Sequence, residues 1–248
     1  MRAKLSVPAK REFEDFASRD KAPLIRGHVG IAAEVALEML DTRIILPSSL
    51  AIKISRISKN TAARTTYFQP SKIYLSGELI TTLSIYWHRF GSSKSIAGLI
   101  AHELSHLSDY RNLQIRDSVG HTIISEGKAE HTGVFVGKND YASEFFVAGV
   151  EQEEAEAFYT QSHNNLERSV LKRKIIDPWV GRGGCASDCS NLSPYTMGYS
   201  IVNDALLHSG ERTVFDIHHL DPVTIMNMAR AYRGVEPIRG FGGWLRSA

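Results

Sequence analysis

The sequence predicts an α+β fold. β-rich segments crowd into one short stretch between residues 50 and 76, and helical periodicity governs what lies on either side of it. Size and composition agree with this. A chain of 248 residues, 43% apolar and 23% charged, is an ordinary globular composition with enough surface to bury one large core or two small ones.

The elements follow in order. "HVGIAAEVALEMLD" over 28–41 places Val29, Ala32, Ala33, Ala36, Leu37 and Leu40 at helical spacing before the break at Pro47. "LAIKISRIS", "TTYF" and "SKIYLSG" are β-branched or aromatic runs. They predict three short strands joined by a polar turn at Asn60 and by Pro70. A helix over 78–89 is expected next, then the turn "FGSSKS", in which a serine caps another helix. From Ser95 onward, Ile96, Leu99, Ile100, Leu104 and Leu107 form one apolar stripe. A further helix around Ile123, Ile124 and Ala129 is expected to pack against it. Residues 147–175 read as mostly helix, with Val150, Phe158, Tyr159, Leu166, Val170 and Leu171 inward, a break at "SHNNLE", and His163 as an exposed cap in that break. "DPWVGRGGCASDCSNLSP" is the most loop-like stretch. The next helix starts at Ser193 and Pro194 and ends near Gly210, with Tyr195, Tyr199, Val202 and Leu206 on one face. A last helix is capped by Asp221 and Pro222, and His218 and His219 before it read as loop residues.

Several classes are excluded. Lys and Arg total 29 against 27 acidic residues, a net charge of +2 that gives no reason to expect nucleic acid or an anionic membrane as partner. The run Lys172-Arg173-Lys174 reads as a solvated helix face. The N-terminus lacks the apolar stretch of a secretory signal, and no run is long enough to span a membrane, so the cytoplasm is the expected location. Cys185 and Cys189 cannot alone fill a four-ligand zinc site and read as loop thiols. There is no internal repeat, Walker-type loop or Gly-x-Ser-x-Gly elbow.

The chemistry concentrates in "LIAHELSHLSDY". His102 and His106 lie four apart, so on a helix their rings stand one above the other and can converge on one ion at about 2 Å each. At about 100° per residue they sit to one side of the apolar stripe, at the border of the core. Glu103 turns toward the neighbouring side, where a general base can reach a water activated at the metal without ligating the metal. This is the HExxH pattern of zinc peptidases. A third ligand is needed. The metzincin extension fails, since its landmarks fall on Asp109 and Asn112. His121 lies in an apparent turn. Glu126, twenty positions after His106 and expected on the next helix, is the better candidate. Glu130, one turn further on, and Asp109 are candidates to orient the histidines through their second nitrogens.

"HELSH" followed by "EGKAE" resembles the gluzincin metallopeptidases, which carry HExxH plus a glutamate on the next helix. The "EGxA" form is similar to their aminopeptidase branch, and closer to a bacterial family of predicted zinc-dependent proteases that also carries a "GY" helix downstream, here "SPYTMGYSIV". The resemblance covers about residues 96–133, with an echo over 193–206. Lys128 departs from it, standing where an apolar residue is usual, and the aminopeptidase motif "GxMEN" is absent.

The resemblance implies a zincin-like fold, a small twisted sheet above the HExxH helix with an edge strand beside the cleft. "KIYLS" is the candidate to pair with an extended substrate. Residues 1–137 would form the subdomain holding sheet, HExxH helix and Glu-ligand helix, and 138–248 a mainly helical subdomain completing the cleft. The activity implied is peptide hydrolysis with one Zn2+ held by His102, His106 and Glu126, Glu103 as base, and a peptide or protein as substrate. Gluzincins commonly supply an oxyanion donor from a Tyr or His downstream, for which Tyr199 is the first candidate and Tyr195 the second. The alternatives are an inactive zinc- or peptide-binding module, and an amidohydrolase acting on a non-protein amide.

Overall fold

The computed structural model describes residues 22–55, 63–65, 71–77, 79–81, 83–84, 94–112, 119–138 and 194–237. Among the described residues the fold is α+β, mostly helical with a small three-stranded sheet. The expected helix over 147–175, His163, the Lys172-Arg173-Lys174 run and Cys185 with Cys189 lie outside the described residues. No described helix is long and apolar enough to cross a membrane. The chain divides into two compact units, one of Met1–Asn112 and Thr132–Glu144, the other of Leu113–His131 and Phe145–Ala248.

In the first unit, α1 (Ala22–Leu40) begins nearly two turns before the expected start. Ile25 extends the buried face of Val29, Ala32, Ala33, Ala36 and Leu40, and Pro23 is tolerated because the first turn needs no backbone donor. This face packs on α2 (Lys94–Asn112). The sheet comprises β1 (Ala51–Ser55), β2 (Ala63–Thr65) and β3 (Lys72–Ser76), in the order β1-β3-β2. β3 runs parallel to β1 and antiparallel to β2. Its alternation is strict. Ile52, Ile54, Ile73 and Leu75 face the core, and the opposite face carries Lys53, Tyr74 and Arg64 in one cross-strand row, with the Arg64 guanidinium over the Tyr74 ring.

This topology corrects one expectation. "KIYLS" is β3, the middle strand, and its backbone already pairs on both sides, so it has no free edge to offer a peptide. A parallel β1–β3 pair with the intervening strand on the outside cannot be inferred from three strands read in sequence, which suggest a simple meander. After β3, residues 79–81 and 83–84 are helical, and Ser76 Oγ accepts from the Leu79 N–H at 3.5 Å.

In the second unit, the first two-thirds of α3 (Val119–Gly137) meets α4 (Pro194–Ser209), α5 (Val214–Ile217) and α6 (Pro222–Tyr232). Ile123 and Ile124 join Met197, Ile201, Val202, Ala205, Leu206, Val214, Ile217, Ile225, Met226 and Ala229 in one apolar core. The buried stripe of α4 therefore runs through Met197 and Ile201, and Tyr195 and Tyr199 lie half-buried at its margin.

Helix α4 stops where Gly210 takes a φ of +71°, a conformation glycine adopts at little cost. Asp221 caps α6, accepting from the Val223 and Thr224 N–H groups at 3.0 and 3.1 Å. Arg233 at the far end of α6 forms an ion pair with the buried Asp204 of α4. Asp221→Ala is expected to cost about 1 kcal/mol, a fall in Tm of about 2–4 °C in a thermal melt. An unchanged melt would show that the exposed cap does not stabilise α6.

Candidate metal centre

The centre starts from α2. The sequence reads this helix as one apolar stripe with polar residues elsewhere, yet every side chain from Ile96 to Asp109 is buried. Six of those are polar or charged: His102, Glu103, Ser105, His106, Ser108 and Asp109. Burying such groups is costly unless each is met by a partner. Ser108 shows how, with its Oγ accepting the Ile45 N–H at 3.1 Å.

Helical spacing brings the two histidines together as expected. Their Nε2 atoms lie 3.1 Å apart, and the rings meet edge to face with centroids 4.9 Å apart. Two ligands of a tetrahedral zinc, each about 2.0–2.1 Å from it, stand about 3.3 Å from one another. The imidazoles are thus already at the spacing of two corners of that tetrahedron.

Glu126 of α3 is the third residue of a group that could hold a metal ion. One ligand atom from each of His102, His106 and Glu126 lies within 4.8 Å of the other two. Two imidazoles and a carboxylate are a donor set of catalytic zinc sites, one that leaves a coordination position open. Residues and spacing fit the ion. Glu103, between the histidines in sequence, is 4% exposed and stands outside this group. Asp109 and Glu130 are both 1% exposed. His121, read in the sequence as part of a turn, is instead buried on the first turns of α3, and it too stands outside the group.

Lys128 departs from the apolar residue usual at its position, but it is fully buried all the same. Its stem lies inside the second unit and its Nζ donates to the His218 carbonyl at 3.2 Å. Two residues from Glu126 is more than half a helical turn, so Lys128 leaves from another side of α3.

Helices α3 and α4 touch at backbone level. A Cβ added to Gly198 would stand 2.6 Å from the Gly127 nitrogen and would collide with the Ile123 carbonyl oxygen, and one added to Gly127 would strike the Gly198 carbonyl. The glycines of "EGKAE" and "MGYS" are therefore one contact point.

One turn beyond Gly127, His131 stacks on Tyr199, with ring centroids 3.8 Å apart and planes 3° from parallel, and its Nε2 lies 3.0 Å from the Tyr199 carbonyl oxygen. Burial lowers the His131 pKa to about 4, partly offset by that carbonyl, so the imidazole is neutral at neutral pH. Burial pushes the Tyr199 phenol up, and the negative charge of Glu130 adds to the effect, so the phenol keeps its proton. Sequence reasoning missed His131. The available signal was its place directly after Glu130, on a helix already assigned to the site.

Comparison with known protein families matches residues 56–227, well over half of the chain, to the family described as Predicted Zn-dependent protease (DUF2268). No curated protein and no solved structure matches significantly.

Proposed function

The chain belongs to this family of predicted Zn-dependent proteases, and from that premise we propose that it is a zinc peptidase of gluzincin type, with a zincin-like fold, acting on a peptide or protein substrate in the cytoplasm. The observation that carries the reading is the convergence of His102, His106 and Glu126 to within 4.8 Å. Those three residues would hold one Zn2+. Bound there, the ion supplies Lewis acidity, polarising a scissile carbonyl and generating a nucleophile from water at neutral pH.

The remaining roles fall to the protein. Glu103 accepts the proton of the attacking water and returns it to the leaving amine. Its place on α2 outside the group of His102, His106 and Glu126 supports a role as base rather than fourth ligand. Glu130 and Asp109 orient the histidine rings. Tyr199 donates its phenolic hydrogen to the developing oxyanion, a role for which a phenol that stays protonated is suited. The sheet packed on α2 through β2 and β3 is consistent with the zincin arrangement.

Metal analysis by mass spectrometry tests the reading. Protein purified without chelator is expected to carry about one zinc per chain, lost in both His102→Ala and Glu126→Ala. A folded wild-type protein without zinc would overturn the proposal. Zinc lost only in the histidine variant would remove Glu126 from the ligand set.

A further inference from the structure

Tyr199 is held from two directions by a residue to which the proposed reaction gives no role. The His131 ring lies flat against the phenol. The same imidazole reaches the Tyr199 carbonyl oxygen at 3.0 Å. A carbonyl can only accept, so Nε2 carries the hydrogen and donates it. Both contacts depend on the closeness of α3 and α4, which the Gly127–Gly198 contact fixes without any intervening side chain. Gly127 lies one turn before His131, and Gly198 directly before Tyr199, so the register that brings the glycines together also brings the rings together.

We propose that His131 is the positioning residue of Tyr199, clamping the ring by stacking and the backbone by the Nε2–H···O bond, so that the phenolic hydroxyl is held in one orientation for donation to the oxyanion. The inference rests on the Tyr199 role proposed above. Its physical reason is preorganisation. A phenol free to rotate must be ordered each time charge develops, whereas a clamped one is ordered in advance. His131 itself touches no reacting atom.

The test combines a double-mutant cycle with a titration. With a quenched fluorescent peptide as substrate, Tyr199→Phe is expected to lower kcat by about 10^2-fold. His131→Ala is expected to lower it about tenfold with KM little changed, because the loss falls on transition-state stabilisation. In the Tyr199→Phe background, His131→Ala should cost nothing further, since no hydroxyl remains to position. His131→Phe, which keeps a flat ring on the phenol, should recover most of the loss. Zinc content should match the wild type in all of these variants.

The titration needs no substrate. The absorbance of ionised phenol in the wild type, minus that of Tyr199→Phe, isolates Tyr199 among the nine tyrosines. In His131→Ala the isolated transition should move to lower pH, because the imidazole covers one face of the phenol. An unmoved transition overturns the clamp. Equal losses from His131→Ala in both backgrounds overturn the positioning role alone and leave Tyr199 as donor. A harmless Tyr199→Phe overturns the donor role and this inference together. If His131→Ala does not fold, His131→Leu, which fills the space without a flat ring or a donor, carries the same cycle, and His131→Ser, which uncovers the phenol face, carries the titration.

Discussion

Glu103→Gln is expected to lower kcat by about 10^3-fold while leaving zinc content and Tm at wild-type values. The size of the loss follows from the role. A positioned general acid or base contributes about 10^2–10^4-fold, and the middle of that range is about 4 kcal/mol of lost transition-state stabilisation. Retained zinc follows from geometry, since Glu103 stands outside the group of His102, His106 and Glu126. Retained stability follows from shape. Glu103 is 4% exposed, and the amide fills the same space as the carboxylate but cannot take a proton. Metal analysis, a thermal melt and peptide turnover on one preparation separate the rival readings. Zinc lost with the substitution would make Glu103 a ligand. Undiminished turnover would place the base elsewhere. Bound zinc with no turnover even in the wild type, across peptide and non-protein amide substrates, would mark a binding module.

How far the sequence reveals this site depends on the range of the interactions involved. The two histidines four apart needed only the helical repeat, and their Nε2 atoms do meet at 3.1 Å. Glu126 needed one further step, the expectation that the next helix returns beside the first, and it too joins the group. Helix caps at Asp221 and Gly210 were legible because the signals are local and chemical. What failed was long-range. Strand order depends on which strands pair across tens of residues, and "KIYLS", expected as an edge strand, is β3 in the middle, between β1 and β2. The all-round burial of α2 was hidden because the sequence displays one apolar stripe, whereas burial depends on what else packs there. His131 was passed over because its partner Tyr199 is 68 residues away.

The same long-range contact yields the second large effect, in which identical substitutions have opposite signs. Replacing a helical glycine by alanine ordinarily stabilises by about 0.8–1 kcal/mol, through backbone entropy. In α1 no atom of the described residues outside the helix's own backbone lies within 4 Å of the position a Cβ would take at Gly27 or at Gly30, so Gly27→Ala and Gly30→Ala should raise Tm by about 2–4 °C each. At Gly127 and Gly198 the propensity gain is the same, but the added carbon meets backbone atoms of the facing helix, which cannot rotate aside as a side chain could. Helices α3 and α4 must move apart, opening the core of Ile123, Ile124, Met197 and Ile201. Overpacking costs about 1–3 kcal/mol and occasionally more, and a backbone collision belongs at or above the top of that range. The net loss is then about 2 kcal/mol or greater, a fall in Tm of at least about 4–8 °C by thermal melt. Because Glu126 directly precedes Gly127, the displaced helix should also weaken zinc retention against a chelator in whatever fraction stays folded. Stabilisation by Gly198→Ala would mean the helices stand further apart than described, and the pairing of "EG" with "GY" in one chain would need another cause.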